Sequence, residues 1–470
     1  MLMLIAGCTG DDNSGLGSGA GSGTVVRPDV KEVYVSPHGD DMADGGADTP
    51  LRTLSVALGK ASAGTTVFLY SGIWNERIVL NVSGTEDKPI VITAVSGHAP
   101  VIDGGNGQGW SQDTEIGKLL ITDFAKTDAS LPRFNPDAAL MTIDGASHIV
   151  LKGLTVSGSP ECGIYCKAGS SHLTIEDCTV ADCVGPGICF GADYAEESYK
   201  MSYDITVRGN HVRNCAQRAR EAISLRSVAG FDVSGNIVEK VIKESIDAKS
   251  GCSDGVICHN IIKDAGHVAI YLDAGYSTCP EEKSVSVYSN IIENPYGVGI
   301  CVASEGGNEI SNIRIYNNLV WNRRTDNRGN GLKVAKNSGN TSGKVSDIYM
   351  YNNTVCGFLQ QGIYVNYPNI RNVVIANNIS VTNFDNIAIN PSNGVPVAEV
   401  RVSNNLVYGG QCSFPGNDCI SAAPRLNDDY TLQPSSPAVD SAIGEWIAAD
   451  DLTGKLRPGN GMSDMGAYEL

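Results

Sequence analysis

"SVSVYSNII", residues 284–292, alternates polar and apolar residues and then closes on Ser289, Asn290 and two isoleucines. Period-two alternation marks a half-buried strand. The ending recurs down the chain as "RGNHV", "SGNIV", "CHNII", "YSNII", "YNNLV", "NNTV", "ANNIS" and "SNNLV", with asparagines at 210, 236, 260, 290, 318, 353, 378 and 405. Most intervals lie between 24 and 30 residues, the spacing of a solenoid, and only that from Asn318 to Asn353 is longer.

A second strand recurs within each unit: "GIYCK" (163–167), "GICFG" (187–191), "AISLR" (222–226), "SIDAK" (245–249), "AIYLD" (269–273), "GICVA" (299–303), "GLKVA" (331–335) and "GIYVN" (362–366). Alternate side chains of a strand face opposite sides. Ile223, Ile246, Ile270 and Ile300 therefore point inward. Ser224, Asp247, Tyr271 and Cys301 point out, as do Arg226, Lys249, Asp273 and Ala303. The pattern reads as an all-β chain, a single-stranded right-handed parallel β-helix with one coil per repeat. Its asparagines stack at a turn with amides bonded from coil to coil. A propeller would need blades of about 40 residues and Trp-rich signatures. "PLRTLSVALGKASAG" (50–64) spaces Leu51, Leu54 and Leu58 as a helix does, and is expected to cap the N-terminal end.

Composition agrees. There are 54 glycines for tight turns and only 6% aromatic residues, which suits a core of small aliphatics. A net charge of -18 excludes nucleic acid as partner, since phosphate binding needs a basic face. The 14 cysteines show no metal-type spacing; most read as small core residues, and Cys412 with Cys419 is the best local disulfide candidate. Ile5-Ala6-Gly7-Cys8 resembles a bacterial lipobox in which Cys8 is lipidated, without a basic region before it. The expected division is a lipoprotein signal remnant (1–8), a Gly/Ser-rich tether (9–31), the β-helix (32–425) and a tail packed on the last coils (426–470). The expected protein is an exported monomer, extracellular or a lipoprotein at the cell surface or outer membrane, touching the membrane only through the lipid.

Three consecutive coils concentrate charge. They carry Glu221, Ser224 and Arg226, then Glu244, Asp247 and Lys249, then Tyr271 and Asp273. Aligned columns place Arg226, Lys249 and Asp273 about 5 Å apart, and Glu221 beside Glu244. Stacked acids repel unless a cation separates them. Calcium, which takes six to eight oxygens, is one candidate, with Glu221, Glu244 and Asp247 as ligands and Asp273 at the edge. Tyr271 and Tyr165 are candidate platforms for sugar rings. "WNRRTDNR" (321–328) offers Arg323 and Arg324 to substrate carboxylates. The competing reading is a set of solvated surface ion pairs, which stabilise little. Lys167 and Lys333 are isolated and read that way; His259 and His267 lie at turns, where either could contact substrate, and read first as exposed turn residues.

"YVSPHGDD" (34–41), "PLRTLSVAL" (50–58), "GTTVFLYSGIWNERI" (64–78), "SGTEDKPIVITA" (83–94) and "PVIDGG" (100–105) resemble the opening of secreted bacterial β-helix proteins of the pectin-lyase-like superfamily, above all polysaccharide lyase family 9. "DYTLQPSSPAVDSA" (429–442), "DLTGKLRP" (451–458) and "SDMGAYEL" (463–470) resemble the tail of β-helix proteins carried on bacterial surfaces. The resemblance implies calcium held by acids and a lysine base. "IDAK" is similar to that acid-x-Lys element, which puts Lys249 in the base position and Asp247 in the ligand position. Family 9 sites are richer in Asp, and here Glu221 and Glu244 stand in. The implied function is calcium-assisted β-elimination on a uronic-acid polysaccharide, with Arg226 neutralising the substrate carboxylate. The alternatives are a glycoside hydrolase using Asp247 with Asp273 or with Glu244, and a carbohydrate-binding surface protein without catalysis.

Overall fold

The computed structural model describes residues 31–105, 139–191, 200–217, 221–275, 279–335, 340–458 and 461–470. Residue Cys8 and nearly all of the 9–31 tether lie outside them. The described strands form a right-handed solenoid of three parallel sheets. In each middle coil the chain passes through the first sheet, then the second, then the third, as in Ser253–Cys258, Ile261–Lys263 and Val268–Asp273. The first and second sheets each hold thirteen described strands and the third holds eleven.

Equivalent residues of successive coils lie side by side. Ile223 pairs with Ile246, Ile246 with Ile270, and Ile270 with Ile300, and all four side chains are fully buried. This column is the core the alternation predicts. Three inward rows, one from each sheet, fill the bore with Ile, Val and Leu, whose branched side chains suit a pleated surface.

The asparagine column is a continuous ladder. Asn210 Nδ2 donates to Asn236 Oδ1 at 3.0 Å, and the same bond runs from Asn236 to Asn260, Asn290, Asn318, Asn353, Asn378 and Asn405. Each Oδ1 also accepts the backbone N–H of the asparagine before it, as Asn290 does from Asn260 at 3.0 Å. At the last step Cys419 Sγ takes the place of the next amide, accepting the N–H of Asn405 at 3.3 Å. The expected Cys412–Cys419 disulfide is thus absent; both thiols are free, and one sulfur closes the ladder.

The residue before each ladder asparagine turns the corner with positive φ. It is glycine at 209 and 235, His259, Ser289, and then Asn317, Asn352, Asn377 and Asn404. Asn, with its short polar side chain, tolerates that left-handed region well. These last four asparagines dock the C-terminal segment through its backbone. Asn317 Nδ2 donates to Asp450 O (2.7 Å), Asn352 to Asp464 O (3.2 Å), Asn377 to Trp446 O (2.6 Å) and Asn404 to Ser441 O (2.9 Å). Inside the segment Arg457 and Glu469 form a solvent-free ion pair of 2.9 Å, and Arg457 reaches back to Asn317 Oδ1 at 3.4 Å.

The N-terminal helix spans only Leu54–Gly59, shorter than the sequence suggests. Thr53 caps it, the Glu76 carboxylate accepts the N–H groups of Leu54 and Ser55, and Leu54, Ala57 and Leu58 join the core.

Asn290→Ala would leave the Asn260 N–H and one hydrogen of its amide without partners in a dry corner, and would remove the amide that donates to the Ile257 carbonyl. The expected loss is about 3 kcal/mol or more, read as a lower midpoint in chemical denaturation.

Candidate active site

The outward columns do not face solvent. Asp247 is 2% exposed, Lys249 6%, and Arg226, Tyr271 and Asp273 are also buried. Two apolar groups share the outer face of the third sheet with them. On one side Val268, Tyr271, Val298, Cys301, Ala303 and Ala335 form a second apolar cluster outside the bore. On the other, Ala139, Cys162 and Tyr165 form a smaller one, with Cys189 against it. The charged coils lie between these two apolar patches. Solvated ion pairs are therefore not what the face holds, and charge–charge interactions there act across a low dielectric.

Register brings the acids together around Lys249. Arg226 pairs with Lys249 and Lys249 with Asp273 across adjacent strands, and Ser224 pairs with Asp247. Lys249 Nζ donates to Asp247 Oδ2 at 2.8 Å and to Glu221 Oε1. Glu221 Oε2 accepts from Ser224 Oγ at 3.1 Å. Burial pushes the Asp247 carboxyl well above the ordinary carboxylate range; Lys249 opposes this, and Glu221 and Glu244 add to it. Its Oδ1 is buried without a hydrogen-bond partner. Glu282, at the start of the first-sheet strand Glu282–Tyr288, is fully buried with both oxygens unpartnered. Burial, then Asp273 and Asp247, hold its carboxyl far above the usual range.

Several expected roles need correction. Glu244 does not join Glu221 and Asp247; its Oε1 meets His267 Nδ1 at 2.7 Å. The cation between Glu221 and Asp247 is the Lys249 ammonium. Among the described residues no three His, Cys, Asp or Glu side chains converge as a metal requires. The one unpartnered oxygen of Asp247 falls short of the six to eight that calcium takes. As folded, Glu221, Glu244 and Asp247 do not fit a calcium site.

Tyr271 and Tyr165 are no sugar platforms. Both are buried, and their hydroxyls donate to Glu305 Oε1 (2.6 Å) and Gly191 O (2.8 Å). Asp273 Oδ1 accepts the N–H groups of Gly275 (3.2 Å) and Glu305 (3.0 Å), so it organises a turn. Arg323 is not at the cluster: it lies over the Trp321 ring and donates to Tyr430 of the C-terminal segment at 3.4 Å. Arg324 pairs with Asp326 at 2.9 Å and lies 3.9 Å from Asp264.

Glu282 and Glu305 were not singled out by sequence reasoning, Ser224 was placed in the charged group without a role, and His267 was weighed only as a substrate contact or an exposed turn residue. His267 had a legible signal. It stands three residues before Ile270, as Lys243 stands before Ile246, and so beside the coil that carries Glu244.

Burial raises the Asp273 carboxyl to about 6. The unfolded carboxyl ionises near 4, so between these values the folded state binds more protons. Stability from this group is therefore present at low pH and lost as pH rises to about 6. Asp273→Asn is expected to leave the melting temperature at pH 4 unchanged and to raise it at pH 8, by up to about 3 kcal/mol of stability. Melting curves at the two pH values check this.

Comparison with known proteins agrees with the fold. Residues 33–223 match the family described as Pel9A-like, right-handed beta-helix region, and residues 142–320 match the broader right-handed beta-helix region. The chain is 28% identical to the uncharacterized protein YwoF of Bacillus subtilis over 463 residues, covering 86% of this chain and 92% of that one. It is 31% identical to pectate lyase PEL9 of Emericella nidulans over 143 residues, 30% of this chain and 31% of that enzyme. The solved complex of XylC with xylose shares the fold, with a TM-score of 0.58, 13% identity and coverage of 94% and 98% of the two chains. The chain is a right-handed parallel β-helix, and its residues 33–223 are similar to the Pel9A-like β-helix region.

Proposed function

We propose that this chain is a polysaccharide lyase that cleaves a uronic-acid polymer by β-elimination, with Lys249 as the base. The observation that carries this reading is Lys249 Nζ, held by Asp247 and Glu221 between two apolar clusters. The likeness to PEL9 over the shared 143 residues supports the substrate class.

The base must present a lone pair. Asp247 lies 2.8 Å from Nζ, and burial favours its neutral form. Moving one proton from Nζ to Oδ2 turns a buried ion pair into a neutral acid and a neutral amine, and the dry setting favours that exchange. The amine then takes the C5 proton of the uronate. The C5–H electrons form the C4=C5 double bond, and the C4–O4 bond breaks. Charge builds on the uronate carboxylate as this happens. Arg226, paired with Lys249 on the adjacent strand, supplies the stabilising positive charge. Glu221 fixes Nζ from the other side, and Ser224 fixes Glu221. In this reading the helix Leu54–Gly59 closes the N-terminal end of the scaffold, and the protein is exported to meet its polymer.

A hydrolytic reading has one observation of its own. The neutral Asp247 carboxyl and Glu221 face each other across Lys249, as a general acid and a carboxylate partner would. The products separate the two. Elimination leaves an unsaturated end that absorbs ultraviolet light, and hydrolysis leaves only new reducing ends.

The test is a panel of uronate polymers, with and without calcium, followed by ultraviolet absorbance. The wild-type protein is expected to generate the unsaturated product. Lys249→Ala is expected to lower the rate by at least about 100-fold, with circular dichroism confirming the fold. A Lys249→Ala protein that cleaves at the wild-type rate refutes the base assignment. Reducing ends without absorbance establish hydrolysis instead.

A further inference from the structure

We propose that His267 is the proton donor of the cleavage, positioned by Glu244 and delivering its Nε2 proton to the departing O4. The inference rests on the lyase reading above, and it supplies the half of the reaction which Lys249 leaves unassigned.

β-Elimination needs two proton transfers. Lys249 takes the proton from C5. The C4–O4 bond breaks with its electron pair on oxygen, and that oxygen must gain a proton to leave as an alcohol. A donor distinct from the base lets that proton arrive as the bond breaks, without waiting on the newly protonated Lys249. The other candidates on this face are engaged. The Tyr271 hydroxyl donates to Glu305, Asp273 holds two backbone N–H groups, and Asp247 is the proton partner of Lys249.

His267 stands at the exposed edge of the charged group, linked to it through Glu244. It precedes the strand Val268–Asp273, which lies directly beside the strand of Lys249. Its side chain is 53% exposed, so one ring edge reaches solvent where a polymer would lie. The other edge is anchored: Nδ1 lies 2.7 Å from the Oε1 of Glu244, whose side chain is buried. A carboxylate that accepts from Nδ1 fixes the ring orientation and leaves Nε2 as the nitrogen that can deliver a proton. The surrounding charges are Glu244, Lys243, whose carbonyl accepts the His267 N–H at 3.1 Å, and Asp264, which faces Arg324 at 3.9 Å.

The backbone at this corner is built tightly. The His267 carbonyl accepts the Val298 N–H at 2.8 Å. A Cβ added at Gly297 would lie 2.0 Å from that carbonyl oxygen, and one at Gly329 would lie 1.9 Å from the Gly297 carbonyl. The same close stacking recurs at other corners, as at Gly410 against the Asn383 carbonyl oxygen at 1.8 Å, so it fixes the coil that carries His267 as it fixes the others.

The experiment compares two substrates. One is the uronate polymer, whose leaving alkoxide needs a proton. The other is a synthetic uronide with p-nitrophenoxide or fluoride at C4, which needs none. His267→Ala is expected to slow polymer cleavage by about 100-fold or more, and to cleave the activated uronide at nearly the wild-type rate. Glu244→Gln is expected to show the same pattern more weakly, and nitrogen NMR of the histidines should show the loss of the hydrogen bond at Nδ1. Polymer cleavage by His267→Ala at the wild-type rate overturns the proposal. So does an equal loss on both substrates, which marks a structural role. A wild-type protein that cleaves no uronate polymer overturns the lyase reading itself, whereas the first two results leave that reading standing.

Discussion

Everything in this molecule depends on each coil lying in register with the next, and the buried asparagine ladder is the interaction that enforces it. A one-residue slip in a parallel sheet exchanges inner and outer faces. The ladder forbids that slip, because each Asn amide must meet both the backbone N–H and the side chain of its neighbour. Amides at a dry corner have no water to fall back on, so a misplaced coil would leave several polar groups unpaired at once. Once register holds, position 247 must lie beside 224 and 271, and position 249 beside 226 and 273. The charged group is a product of stacking rather than of any local motif.

The second physical theme is dryness outside the bore. A solenoid normally has one interior, yet this one packs Tyr271, Cys301, Ala303 and Ala335 into an apolar layer on its outer wall. That layer changes what the charges do. Exposed, Lys249 and Asp247 would be an ordinary salt bridge of little energetic weight. Buried, they form a pair set apart from water, and burial holds the Asp247 carboxyl well above the ordinary range.

The repeat was legible because it has both a period and an invariant residue type. The alternation "VSVYS" and the recurring Asn sufficed for the coil, the inward isoleucines and the ladder. Which residues share a column was legible too, since register follows from the repeat. The destination of each side chain was not. Asp247 and Glu244 are three residues apart, yet one turns to Lys249 and the other to His267. Arg323 and Arg324 looked available because the tail that meets Arg323 lies more than a hundred residues away. Tyr271 looked exposed because alternation reports the side of a sheet and says nothing of what covers it. One signal was present and unread: the single "SN" and "GN" pairs give way to "NN" at 317, 352, 377 and 404, where the C-terminal segment docks.

Those doublets contact the segment largely through its backbone, at Asp450, Asp464, Trp446 and Ser441. Recognition of that kind places little demand on the side chains of the segment at those points. It also separates two addresses along the solenoid. The charged coils occupy its middle, and the docking coils its last part. Coils could be added or lost between them over evolutionary time while both addresses persist. The molecule is in this sense extensible: its length can change without rebuilding either the charged group or the closure.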